Sequence, residues 1–194
     1  MRETRKAVFR LALIAAAVVL LTAPHLLADP VVSIQPAVTS AAPGSFFDVF
    51  VEIESVTDLY AFQFDIGFDP AILAAANVTE GPFLPSAGAT FFIPGTIDNT
   101  LGVISFTADS LTGAIPGASG TGILAALSFE ALARGTSPLE LANVILLDSN
   151  LVDIPFETAS GSANVVPEPG SLLLLATGLG GSALLIRRRT GSSR

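Results

Sequence analysis

The 194-residue chain contains no cysteine and no tryptophan, a single histidine, methionine and tyrosine, and lysine only at Lys6. Without cysteine, neither disulfides nor thiolate metal sites can form. Between Asp29 and Val166 there is no histidine and no lysine. The usual general bases and activated nucleophiles are therefore missing from that stretch, and its serines have no partner base. Basic charge is equally scarce there, with fifteen acidic residues against one base, Arg134. Nucleic acid and anionic membrane both require clustered Lys or Arg, so neither is expected as a partner of this part. Neutral sugars, cations and basic proteins remain open.

What is present is alternation. In Leu59 to Pro70, LYAFQFDIGFDP, the even positions are Tyr60, Phe62, Phe64, Ile66 and Phe68, and the odd ones are mostly small or polar. Side chains alternate faces along a strand, so one face is strongly apolar and needs a second apolar layer opposite it. Asp69-Pro70 ends the run, because proline has no N–H to donate. Upstream, FFDVFVEIE sets Phe47, Val49, Val51 and Ile53 against Asp48, Phe50, Glu52 and Glu54. A turn through Ser55 to Asp58 is expected between the two runs. Further strands are expected at Val31–Gln35, around Phe91–Pro94 and Leu101–Thr107, and over Ile123–Leu132, where Ile123, Ala125, Leu127 and Phe129 share a face. Leu139–Leu147 and Ala163–Val166 complete the set. Pro36–Gly44 reads as loop, and Ala71–Ala76 as a brief helical turn with Asp69 at its N-cap. Eight or nine strands, with glycine and proline between them and almost no helix, predict an all-β sandwich.

The two ends are different polymers. Arg2, Arg5, Lys6 and Arg10 precede the apolar run Leu11–Ala23, and Ala28 offers a small residue for cleavage. That is the pattern of a secretory signal peptide over residues 1–28, with an uncleaved anchor as the alternative. At the other end Pro167-Glu168-Pro169 precedes the apolar segment Leu172–Ile186 and then Arg187, Arg188 and Arg189. Fifteen residues at about 1.5 Å each reach only some 22 Å, near the lower limit for a spanning helix. The arginines act as a cytoplasmic stop, placing the acidic body outside. The expected organisation is signal peptide 1–28, body 29–166, sorting segment 167–189 and a tail 190–194, with hydrophobic helices at both ends.

This C-terminal segment resembles the PEP-CTERM sorting signal of Gram-negative bacteria. The resemblance implies cutting by an exosortase near Pro167 to Pro169, a transient anchor in the inner membrane, and delivery to the cell surface or exopolysaccharide matrix. A permanent single-span anchor is the alternative.

The body resembles the cohesin domains, nine-stranded jelly rolls. The residues carrying the likeness are Gly44-Ser45-Phe46, Leu59 with Phe62 through Pro70, Gly102-Val103-Ile104-Ser105-Phe106, Gly122-Ile123-Leu124 with Phe129, and Leu147-Asp148 with Ile154. The family binds dockerin modules through one sheet face, which on this chain implies a partner-binding face at Ala61, Gln63 and Asp65. Many dockerin binders carry an Asn-x-Asp pair there; this chain has Ala61 and Gln63.

Three further constellations were weighed from the residues alone. Glu52 and Glu54 stand about 6.6 Å apart on one strand face, within the range of an inverting glycosidase, but read as the wet face of an antiparallel strand. No catalytic residue is therefore assigned. Asp148, Asn150 and Asp153 are oxygen donors at a spacing that could hold calcium, with an ordinary turn as the favoured reading, and no cofactor is expected. Phe46 and Phe50, aromatics of outward parity, are the candidates for glycan contact. The sequence thus predicts a non-enzymatic exported adhesion or scaffold module, its alternative being a carbohydrate-binding module for matrix polysaccharide.

Overall fold

The computed structural model describes residues 29–167. The expected signal peptide, apolar C-terminal segment, Glu168, Pro169 and the three arginines lie outside the described residues. Among those described, no helix is long and apolar enough to cross a membrane. Ten strands form: β1 Val31–Gln35, β2 Val38–Ala41, β3 Phe46–Phe68, β4 Leu73–Glu80, β5 Thr96–Asp98, β6 Val103–Ser110, β7 Ala118–Ala131, β8 Gly135–Asp148, β9 Glu157–Ala159 and β10 Gly161–Val165. One 3₁₀ turn, Leu84–Ser86, interrupts them.

The 23-residue β3 is the spine, and it belongs to two sheets in turn. Its first half pairs with β1 and β7, extended by β9 and β4. Its second half pairs with β6 and β8, extended by β5, β10 and β2. The expected turn at Ser55–Asp58 is instead a corner within one continuous strand. Ser55 and Asp58 there take φ values of 57° and 61°. The ladder slips on both sides of Val56, and hydroxyls make up for its lost bonds. Ser55 N donates to Thr121 Oγ1 at 3.1 Å, and Asp58 N donates to Ser119 Oγ at 2.9 Å. The Asp58 carboxylate then accepts from Gly117 N at 2.6 Å and from Ser149 Oγ at 2.7 Å. A side chain on Gly117 would meet the Asp58 carbonyl carbon at 2.4 Å, so glycine is required for that approach.

The two halves of β3 feed one core. Val49, Val51 and Ile53 point inward from the first sheet, and Phe62, Phe64, Ile66 and Phe68 from the second. Phe129 on β7 meets Phe68 edge-on at 5.3 Å across the sandwich and stacks on Phe47 at 5.9 Å. Each such side chain contributes about 1.5–3 kcal/mol by burial, so the filling is mainly these two rows and their partners on β7 and β8.

Three further sequence expectations need correction, and one strand went unmarked in the sequence. Pro36–Gly44 is not all loop, because Val38–Ala41 pairs in parallel with β10. Ala71–Ala76 is not a helical turn beyond its first residues. Asp69 Oδ1 does accept from Ala71 N at 2.9 Å, but Leu73–Glu80 then runs extended along β7, where Leu73, Ala75 and Val78 find buried places. Ile123 is only partly buried, because the β3–β7 register slips between Val51 and Glu52 and the inward place goes to Leu124. The short β9 was not anticipated at all.

Candidate functional site

Outward parity on the second half of β3 presents Ala61, Gln63 and Asp65. In register, Ala61 lies between Ser110 on β6 and Leu147 on β8, and Gln63 between Ala108 and Ile145. The small side chains of Ala61, Ala108 and Ser110 leave a hollow of about 260 Å³, which Gln63, Ile145 and Leu147 continue on the β8 side. Its other wall is the chain running beside β6, with Phe91 and Ile93. That wall is anchored by Phe91 N to Ser110 O at 2.8 Å and by a reciprocal pair between Ile93 and Ala108. Phe91 is 65% exposed, so an aromatic rim stands open to solvent. The face is predominantly apolar, with Gln63, Asp109 and Ser110 as the polar residues of its lining.

Asp65 has a different job from its two neighbours. Its Oδ1 accepts from Phe106 N at 2.7 Å and its Oδ2 from Asn143 Nδ2 at 2.6 Å. Phe106 and Asn143 are bulge residues with φ of 59° and 49°. The β3–β6 register slips beside Asp65 on one side and the β3–β8 register on the other. One carboxylate therefore pins a bulge in each flanking strand. Both of its oxygens are committed within the sheet, and of the trio only Ala61 and Gln63 line the hollow.

The bulges also determine which apolar residues reach the site. Leu139 is buried before Asn143 and Leu146 after it, so inward parity on β8 changes from odd to even. Ile145 and Leu147 are consequently turned outward. On β6, Ile104 is buried before Phe106, and Thr107 and Asp109 after it. Asp109 lies opposite Phe62 on the inward side and is 3% exposed. Its Oδ1 accepts from Ser110 N at 2.8 Å, while Oδ2 is buried without a hydrogen-bond donor. Burial and the neighbouring Glu80 carboxylate push its pKa up to about 7. The sequence signal was an acid in the inward slot of an alternating strand, but the slot became inward only through the bulge.

The other sequence candidates are placed apart from this hollow. Phe46 is 66% exposed and lines a second hollow of about 340 Å³ with Ser40, Ser45 and Val166. Pro167, the first residue of the sorting motif, is at its edge. Phe50 is half-buried on the first sheet, between Gln35 and Ala126. Asp48 lies between the two aromatics and accepts from Ser128 Oγ. Glu52 and Glu54 line neither hollow. In the 148–153 turn, Asp148 Oδ1 accepts from Asn150 N at 2.8 Å and Val152 N at 2.9 Å, so that oxygen is spent on its own turn. Among the described residues no three His, Cys, Asp or Glu side chains converge to hold a metal.

Comparison with known proteins agrees with this architecture. The family model of the Cohesin domain matches residues 32–165, and that of the PEP-CTERM protein-sorting motif matches residues 165–189. Cellulose-binding protein A of Clostridium cellulovorans is 24% identical over 163 residues, 77% of this chain. The chain spans only 8% of the length of that relative. Among solved structures, the non-cellulosomal cohesin of Archaeoglobus fulgidus has a TM-score of 0.58 at 16% identity, covering 74% of this chain and 96% of its own. A type I cohesin–dockerin complex from Clostridium thermocellum, Coh-OlpA-Doc918, gives 0.58 at 15%, covering 72% and 100%. CaCohA2 from Clostridium acetobutylicum gives 0.56 at 23%, covering 73% and 93%. Architecture and family match together establish that the chain belongs to the cohesin family and ends in a PEP-CTERM sorting motif.

Proposed function

We propose that the chain is a non-enzymatic, exported protein-binding module whose partner docks on the outer face formed by β6, the second half of β3 and β8. The observation that carries this reading is the apolar hollow at Ala61 and Gln63, walled by Phe91, Ile93, Ile145 and Leu147. At about 260 Å³ it takes one or two apolar side chains of a protein, and it offers few of the polar groups that orient a sugar. A dockerin-like module is the partner class that the family suggests, with Asn-x-Asp replaced by Ala61 and Gln63. The acidic body favours a partner with basic residues around its apolar anchor.

Delivery follows from the two ends. Residues 1–28 act as a signal peptide, and the PEP-CTERM segment anchors the chain transiently in the inner membrane until an exosortase cuts near Pro167 to Pro169. The product is released to the cell surface or to the extracellular polysaccharide matrix. Replacing Pro167, Glu168 and Pro169 by alanine is expected to keep the full-length chain in the membrane fraction. Intact mass of the secreted product reads both termini; release of the variant with an unchanged C-terminus would refute exosortase processing at the motif.

The glycan reading keeps one specific support, the exposed ring of Phe46 beside the second hollow. The two readings separate by substitution. Ala61→Arg fills the apolar hollow with a charge and is expected to abolish partner recovery from the organism's secretome. Phe46→Ala with Phe50→Ala should leave it unchanged. Loss of polysaccharide retention in the double variant, with Ala61→Arg without effect, would reverse the assignment.

A further inference from the structure

Glu80 ends β4 in the first sheet and is exposed, and Asp109 sits buried on β6 in the second. The two acids are neighbours at the edge of the sandwich, where Thr90 hydrogen-bonds Glu80 and pairs with Leu111 two residues beyond Asp109. Asp109 is 3% exposed and its Oδ2 has no donor. Glu80 in turn accepts from the Thr90 hydroxyl. Thr90 pairs with Leu111 and directly precedes Phe91, the exposed wall of the outer hollow. A chain of contacts thus runs from a buried acid, through a second acid on the opposite sheet, to the wall of the docking face.

We propose that Glu80 and Asp109 share a single proton across the edge of the sandwich, and that this proton adds a side-chain tie at Thr90 to the backbone bonds that anchor the Thr90–Ile93 wall. With the proton present, the Asp109 carboxyl donates to the Glu80 carboxylate, and the orphaned oxygen gains a partner. When the proton leaves to solvent, a buried Asp109 anion faces the exposed Glu80 carboxylate, which can swing into water and release the Thr90 hydroxyl. The charge acting on Asp109 from the elements packed against it is that of Glu80; β3 presents Phe62 opposite it, and the nearby Tyr60 hydroxyl is tied to Gly113 O. Burial followed by the Glu80 charge raises Asp109 to about 7, which puts the transition near neutral pH. The sign follows from the raised value. Between the ordinary carboxylate value of 3.8 and about 7 the folded chain holds a proton that the unfolded chain has lost. Stability from this pair is therefore greatest in mild acid and declines as pH rises toward 7.

The biological use of this device rests on the docking face proposed above, but its test needs no partner. The chain has no tryptophan, so Phe91→Trp introduces a single reporter at the wall. In the full chain in detergent, its emission is expected to change with a midpoint near neutral pH. Asp109→Asn should flatten that titration and erase the fall in Tm between about pH 5 and about pH 8. Glu80→Gln, which keeps the shape and removes the charge, should move the midpoint to lower pH. An emission profile that is flat in the Phe91→Trp chain, or that titrates unchanged in Asp109→Asn, would overturn the proposal. So would millimolar calcium raising Tm at about pH 8 in the wild type but not in Asp109→Asn, since the pair would then be a cation site.

Discussion

Asp65 shows how much one carboxylate can determine. It reads as a polar point on the outer face of β3, yet both oxygens are used to pin the bulges at Phe106 and Asn143. Asp65→Ala should therefore cost about 1–3 kcal/mol of stability, because it strips partners from an amide and from a side chain already held at positive φ. Denaturant unfolding measures this loss, and a variant as stable as the wild type would show that the bulges hold themselves. Asp58 makes the complementary case at the corner of β3. Hydrogen bonds from Ser149 Oγ and from Gly117 N hold its pKa below the ordinary carboxylate range, and burial opposes them only in part. A depressed acid stabilises the fold above its unfolded value and loses that contribution as pH falls through the folded one. Asp58→Asn is accordingly expected to shrink the loss of Tm on acidification below about pH 4, as followed by thermal melts.

Among the elements, the strand pair β5–β6 and its turn set one edge of the second sheet. Asp98 Oδ1 accepts from Thr100 N at 2.8 Å and Leu101 N at 2.9 Å, and the turn closes through Gly102 at φ 71°. A Cβ on Gly102 would meet Phe68 O at 2.2 Å. Gly102→Ala should thus destabilise by more than about 1 kcal/mol. Gly67 lies in ordinary extended backbone with only Glu140 Cβ near, at 3.9 Å. Gly67→Ala should be neutral or stabilise by up to about 1 kcal/mol, and the contrast in Tm checks the assignment. The same elements show what could be read in advance. Phe62, Phe64, Ile66 and Phe68 announced a buried face because nothing breaks the period of two along that half of β3. Leu73–Glu80 did not, since three alanines and an asparagine between Leu73 and Val78 carry little periodic signal, and pairing with β7 decides the conformation. The candidate face was half legible. Ala61 and Gln63 came from the family resemblance, whereas Ile145, Leu147 and Asp109 depended on bulges that shift parity by one and leave no mark in composition.

For the whole molecule, the described body is one two-layered domain with a shared core. Phe129→Ala tests the joint between the layers, because this ring touches both Phe47 and Phe68. A loss of about 3–5 kcal/mol is expected, read as a lowered denaturation midpoint with an unchanged slope. The passage of β3 from one layer into the other has a last consequence, for how the domain opens. Neither layer can fray by itself without tearing the strand that the other layer also owns. Native-state hydrogen exchange should therefore report one shared slowest class of amides for Val49–Ile53 and for Phe62–Ile66, rising and falling together as denaturant is added.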